Sequence, residues 1–482
     1  MTSNEDKRFL QHPGHQKALR GDAAQAALPA PASAIPLSGR ELLLPMPVNA
    51  HDHGYGIRTL DFGSRDDALE TWIPTMRLRP RTDAYLEALV AFGRLAKTGV
   101  AATIHCHNSL NAARMVDEAL EVIRAAKDVG IRLGLSCPLL DHDAWAYDGG
   151  PERLKPFLSP ADWEALSPLA PRYVPFRDQL AAADAVAAAN TNPLVDVQYG
   201  PIGPQWCSNA LLEAIAEASA ANDRRIHMHL LESPRQRAWL DRRFPQGIVR
   251  YLDEIGFLSP RLAVAHGVQL RPDEYELLAE RGVQLVSNPS ANLRLRSGTA
   301  PLADAVKRGL RSGTAPLADA VKRGLRFGIG LDGGAFDDDQ DLWREMRLLY
   351  FLHGGRDLER DFTASNIFDA AIRTGATVVN APLGEDFTVI DYEALIADSV
   401  FDDLDEAEVL LNRMSAAHAK AVYVAGRPVM RDGKLVNVDF DAARKELFAQ
   451  AKADLPRLTI ERERCGKLIA ATRAYYGSWA NA

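Results

Sequence analysis

PMPVNAHDH at residues 45–53 is the first of eight short apolar runs, and it ends on two histidines, His51 and His53, two positions apart. The others follow as VAATIHCH (100–107), IRLGLSCPL (131–139), LVDVQYGP (194–201), RIHMHLL (225–231), RLAVAHGV (261–268), VQLVSN (283–288) and FGIGLD (327–332). Continuous apolar runs of this length match strands of a parallel sheet buried on both faces. Between most of them lie amphipathic stretches such as DAYLEALVAFGRLAKTG and NALLEAIAEASAAND, each closing near Gly or Asn as helices do. Eight strand–helix units predict an α/β protein of the (β/α)8 TIM-barrel class.

The barrel is expected over residues 46–375, with a long insertion at 139–190 in the third unit. Residues 1–45 are rich in Ala and Pro (ALPAPASAIP) and read as an N-terminal arm or linker. Residues 376–482 change to short strand-like pieces (FTVIDY, AVYVAG, KLVNV) and then a helix from about Asp441, a small, reduced β-sandwich-like appendage with a C-terminal helix. LRSGTAPLADAVKRG at 295–309 recurs unchanged at 310–324. The Gly and Pro in each copy oppose one long helix. We therefore expect two short helices capped at Thr299 and Thr314, with one copy serving as the seventh barrel helix and the other extruded.

Composition narrows the function. The 482 residues carry 47% hydrophobic and 25% charged side chains, the make-up of a globular chain. A net charge of −8, from 56 basic and 64 acidic residues, argues against a nucleic-acid partner. No run approaches the ~20 apolar residues of a membrane span, and the N-terminus lacks the apolar core of a signal peptide, so a cytoplasmic location is expected. The four cysteines include no CxxC pair, so neither a disulfide framework nor a thiolate zinc site is encoded. The expected partners are a small-molecule substrate and further copies of the chain in a homo-oligomer. Any metal must use His and carboxylate.

The histidines fall at the C-terminal ends of the runs, where barrel enzymes build their sites: His51 and His53, His105 and His107, His227 and His229, and His266. Asp332 takes the same place in run eight. Residues two apart in a strand face the same side, so His51 and His53 suit one cation. HDH, HMHLLE, AHG and GLDGG in barrel order together point to a metal centre.

At these residues the chain resembles the amidohydrolase superfamily, in the branch of cytosine deaminase, guanine deaminase and the s-triazine hydrolases. The resemblance rests on LPMPVNAHDHG, VDVQYGPIGPQWCS before RIHMHLLES, LAVAHGVQLRPDE, VSNPSANLRLRSGTAPL and GIGLDGGAFDDDQDLWREMR. It implies His51, His53, His229 and Asp332 as metal ligands, His266 beside a metal-bound water, and Glu232 as the acid three residues after the strand-five histidine. Against the family pattern, the N-terminal half of the usual β-sandwich is expected to be missing or degenerate.

Three neutral imidazoles and one carboxylate would leave a position for water on the cation and lower its pKa from about 15.7 to about 7. The expected reaction is attack of a metal-bound hydroxide on a C–N bond of a small N-heterocycle, an aminohydrolase or deaminase. Glu232 would supply a proton, Asp332 would take one from water, and His266 would orient that water. A second reading is amide, urea, carbamate or s-triazine hydrolysis by the same machinery, and a third is a catalytically impaired ligand-binding barrel. Run four has no lysine for a carbamylated bridge, so one divalent transition metal is expected, zinc most readily, with Fe, Co or Mn also suited to N/O ligation. Substrate contacts are assigned to Gln198, His107 and Trp72, although the amide and the indole would equally fill core.

Overall fold

The computed structural model describes residues 19–20, 37, 41–109, 111–143, 145–298, 324–334, 336–353, 355–356, 359–360, 363–401 and 403–479. Two N-terminal strands, β1 (Leu19–Arg20) and β2 (Glu41–Pro45), pair antiparallel. The parallel sheet follows in chain order as β3 (Ala102–Cys106), β4 (Arg132–Leu139), β5 (Val195–Pro201), β6 (Ile226–Leu230), β7 (Leu262–His266), β8 (Gln284–Ser287) and β9 (Arg326–Ile329). After a short hairpin, β10 (Gly355–Arg356) with β11 (Glu359–Arg360), come β12 (Phe387–Asp391), β13 (Ala419–Val424), β14 (Arg427–Arg431) and β15 (Lys434–Leu435).

The first apolar run closes the barrel between β3 and β9. Asn49 N donates to Ala102 O at 3.0 Å and Ile104 N donates to Asn49 O at 3.0 Å, while Ala50 N donates to Ile329 O at 2.8 Å and Leu331 N to His51 O at 3.1 Å. Every residue of β3, β6, β7 and β8 is buried, as a sheet covered by helices requires. The helices begin and end on local signals. Asp83 accepts from Leu86 N to cap Ala84–Lys97, and Gly130, with φ 90°, closes Met115–Val129.

Residues 1–45 are not only an arm. β2 pairs along its whole length with β12, in a six-stranded sheet of order β1-β2-β12-β13-β14-β15. The run ELLLP is too short for a helix, and both its faces find apolar cover: Leu42 and Leu44 join the main core, while Leu43 packs with Leu37, Phe387 and Tyr423 on the other side. The appendage therefore recruits chain from both ends of the sequence, and its N-terminal part is present. The C-terminal segment forms two helices, Phe440–Ala453 and Leu455–Ser478. The second packs Leu468, Tyr475 and Tyr476 against Tyr147 and Leu154 of the 139–190 insertion, over the C-terminal face of the barrel. Residues 299–323 lie outside the described residues, and with them Thr299, Thr314 and the placement of the two repeated copies. Among the described residues, no helix is long and apolar enough to cross a membrane.

Candidate metal centre and active site

His51 and His53 leave the closing strand on the same side because Asp52 between them is bound away: its carboxylate accepts from Gly54 N at 2.6 Å and from Asn49 Nδ2 at 2.5 Å. Gly54 has φ 59°, and a Cβ there would stand 2.1 Å from His105 Nδ1. Only glycine fits that turn. His229 is the penultimate residue of β6 and Asp332 follows β9. One donor atom from each of His51, His53, His229 and Asp332 falls within a group whose members lie within 4.8 Å of one another. His51 Nε2 and His53 Nε2 each lie 3.2 Å from Asp332 Oδ1, and His229 Nε2 lies 3.2 Å from His53 Nε2.

The outer nitrogens of these imidazoles are engaged elsewhere. His229 Nδ1 donates to Ile202 O at 2.7 Å, His51 Nδ1 lies 2.8 Å from His227 Nε2, and His53 Nδ1 lies 2.6 Å from the Asn108 amide. Such partners fix ring orientation and turn the inner nitrogens to a common point. Burial, the dominant effect, pushes the His51 and His229 pKa values well below the ordinary histidine range, so both are neutral imidazoles with a lone pair. Burial acts to raise the Asp332 pKa, but the close approach of the His51 and His53 rings outweighs it and holds the carboxyl well below its usual range. His51 Nε2 is buried without a hydrogen-bond partner. Convergent neutral nitrogens, an ionised oxygen and an orphaned inner donor atom fit a divalent metal ion.

Around this group stand Glu232 and His266. His266 has φ 73° and Asp332 φ 59°, unusual backbone for residues other than glycine and a mark of functional sites. His266 Nδ1 donates to Asn292 Oδ1 at 2.9 Å, which leaves Nε2 free, 3.8 Å from Glu232 Oε2 and 3.9 Å from Asp332 Oδ2. Glu232 is buried and its Oε1 has no hydrogen-bond partner. Burial first, then the nearby Asp332 and Glu70 carboxylates, raise its pKa well above the normal glutamate range.

A cavity of about 950 Å³ opens above these groups, with His53, His229, Glu232, His266 and Asp332 at its floor. Trp72 and Phe336, with ring centroids 5.0 Å apart, form part of its wall together with Tyr55, Trp145 and Trp206. Two expected substrate contacts are placed elsewhere. Gln198 lies in mid-strand, where its amide donates to Asp196 Oδ2 and to Val378 O, each at 3.0 Å, so it stands below the level of the cavity. His107 is buried between His105 and Glu118, its Nε2 3.4 Å from Glu118 Oε2. Its neighbour Asn108 lines the cavity instead. Sequence reasoning missed Asn292, which orients His266, and Glu70, which accepts from Ser233 and Tyr147 beside Glu232. No spacing announces either pair. The arginine-rich wall was readable from the alternation MRLRPR at 76–81, which brings Arg77, Arg79 and Arg81 to the cavity.

Residues 42–385 match the model of the amidohydrolase family. A 5-methylthioadenosine/S-adenosylhomocysteine deaminase of Thermococcus sibiricus is 26% identical over 366 residues, 74% of this chain and 73% of that protein. A 5′-deoxyadenosine deaminase of Methanothermobacter thermautotrophicus is 29% identical over 260 residues, spanning 50% of this chain and 54% of its own length. Among solved structures, a zinc-bound adenosine deaminase from Xanthomonas campestris superposes with a TM-score of 0.68 at 21% identity, covering 90% of this chain and 91% of its own. A mutant atrazine chlorohydrolase from Arthrobacter aurescens, complexed with zinc and atraton, gives 0.70 at 20% identity over 88% and 92% of the two chains. By this match, and with the donor set it brings together, the chain belongs to the amidohydrolase family of metal-dependent hydrolases acting on C–N bonds.

Proposed function

We propose that the protein deaminates an amino-substituted N-heterocycle, with a 6-aminopurine nucleoside as the best-supported class. The observation that carries this reading is the buried Glu232 carboxyl at the floor of an aromatic cavity, 3.8 Å from His266 and beside the ligand group. The nucleoside class comes from the relatives, whose names specify adenosine derivatives.

A divalent ion held by His51, His53, His229 and Asp332, which we take to be zinc, supplies Lewis acidity that brings water within reach of deprotonation at neutral pH. The chain's own residues do the rest. The aromatic walls hold the heterocycle and exclude bulk water. Glu232 donates its proton to the ring nitrogen next to the carbon under attack, so that carbon takes the oxygen of water and becomes tetrahedral while the adduct stays neutral. His266 Nε2 accepts a hydrogen bond from that water and fixes its direction. Asp332 Oδ2, on the side facing His266, receives the water proton, which passes to the exocyclic nitrogen. Ammonia departs, the hydroxyl proton returns to Glu232, and the carbon keeps the oxygen as a carbonyl.

All four cysteines are buried and unpaired, which supports a reducing, cytoplasmic setting. Exposed Phe351, Val400 and Phe401 supply apolar surface for a homo-oligomer. The activity is tested by ammonia release from adenosine, 5′-methylthioadenosine, 5′-deoxyadenosine and S-adenosylhomocysteine, alongside cytosine, guanine and aminotriazines. Release of one ammonia per nucleoside consumed is expected. Turnover restricted to cytosine, guanine or the aminotriazines would overturn the 6-aminopurine assignment, and turnover of none the deaminase reading.

A further inference from the structure

The cavity carries two kinds of charge. Besides the acidic groups at its floor, it is lined by Arg77, Arg79, Arg81, Arg172, Arg457 and Arg464, accompanied only by Glu461 and Asp178. These carboxylates do not neutralise the arginines. Glu461 is divided between Arg77, at 2.8 Å, and Arg464, also at 2.8 Å. Arg457 is taken by Asp454 at 2.6 Å. Arg79 has Glu87 no nearer than 3.9 Å, and its buried Nε makes no hydrogen bond. Arg172 is exposed at the rim, and among the described residues no carboxylate lies within ion-pair distance of it.

Arg79 is also placed close to the reacting end. Its Nη1 donates to Asn108 O at 2.6 Å and its guanidinium lies 5.2 Å from the Tyr55 ring centroid, whose ring stacks on His53. A cavity of about 950 Å³ is far larger than a bare base, so a substrate that fills it extends beyond its heterocycle toward this wall. Guanidinium groups present planar donor pairs that match carboxylate or phosphate, and in a cavity their field is less screened than in water.

We propose that the substrate bears an anionic substituent, a carboxylate or phosphate, on the part that extends beyond its heterocycle, and that Arg79 and Arg172 hold it. This rests on the aminohydrolase reading and narrows it to anionic nucleosides or their analogues.

The test uses binding as well as turnover, so that the two readings fail separately. Trp72, Trp145 and Trp206 line the cavity, and their fluorescence reports occupancy. The purified protein is titrated at low salt with adenosine and 5′-methylthioadenosine as neutral probes, and with adenosine 5′-monophosphate and adenosine 5′-carboxylate as phosphate and carboxylate probes. At least one anionic probe is expected to bind tenfold or more tightly than the neutral pair, and which one does so identifies the anion. The preference should fall below threefold in an Arg79→Gln/Arg172→Gln double variant and at high ionic strength. An Arg79→Lys/Arg172→Lys variant, which keeps the charge, should retain part of it, with the melting temperature of each variant checked against the parent. Neutral probes binding as tightly as both anions, or a preference unchanged in the folded Gln variant, would overturn the proposal. Tight, arginine-dependent binding of an anion without ammonia release would uphold it and reject the deaminase chemistry alone.

Discussion

Nε2 of His266 lies 3.8 Å from Oε2 of Glu232, and both side chains are almost sealed from solvent, at 1% and 4% exposure. With His266 Nδ1 committed to Asn292, the facing nitrogen offers a lone pair to a group held between the two residues. Glu232 and His266 thus face one another at the floor of the cavity, beside the group of candidate ligands.

Metal content comes first. About one equivalent of divalent metal per chain is expected by elemental analysis, and His51→Ala or His229→Ala should remove both metal and activity. Full activity of the parent protein after chelation, with no metal detectable, would defeat the assignment of this ligand group.

Glu232→Gln should keep the metal, because its carboxyl is outside the ligand group, yet lower kcat by about 10²–10⁴, the usual contribution of a general acid. Steady-state kinetics beside metal analysis decide the matter. A parent-like kcat would show that the proton comes from elsewhere.

Asn292→Leu removes the acceptor that fixes the His266 ring. A loss of about 10- to 100-fold in kcat with metal retained is expected, the size seen when a partner orienting a site histidine is deleted. An effect on KM alone would instead place Asn292 in substrate binding.

Glu345 gives a pH prediction distant from the chemistry. Burial, reinforced by Asp337, raises its pKa from the model peptide value to about 8, against hydrogen bonds from Ser290. The folded state therefore holds this proton more tightly than the unfolded chain does. Its contribution to stability is full below the unfolded glutamate pKa of about 4.3, and is lost as pH rises toward about 8, at up to about 1.4 kcal/mol per pH unit. Glu345→Gln can still accept from Ser290 N, so it should raise the melting temperature near pH 8 and leave it little changed near pH 4. A uniform shift across that range would contradict the burial argument.

The repeated segment yields the last prediction. Deleting residues 310–324 leaves one complete copy between Leu295 and Leu325, both buried at the flanks. The deletion variant should fold and bind metal, changing substrate preference or oligomeric state more than stability. An unfolded or metal-free product would show that both copies are structural.

What the sequence determined by itself was the barrel and the gathering of His51, His53, His229 and Asp332 at one end of it. Short apolar runs separated by capped helices leave few topologies once parallel strands must be covered on both faces, and the histidines at run ends could only gather at one end of such a barrel. Alternation along a strand also told which residues share a side, so His51 and His53 were legible as a pair. It did not tell how high a residue stands on the barrel or what packs on it. Gln198 was placed at the substrate but lies in mid-strand, and His107 was assigned there although its ring turns to Glu118. Pairing across hundreds of residues was equally beyond local pattern. β2 meets β12 far along the chain, and the helix Leu455–Ser478 returns to the mouth of the cavity with Arg457, Glu461 and Arg464. Periodicity reports the face an element buries, whereas the identity of what buries it depends on non-local packing, and only the tertiary structure decided that an apparent linker would complete a sheet and a C-terminal helix would wall the active site.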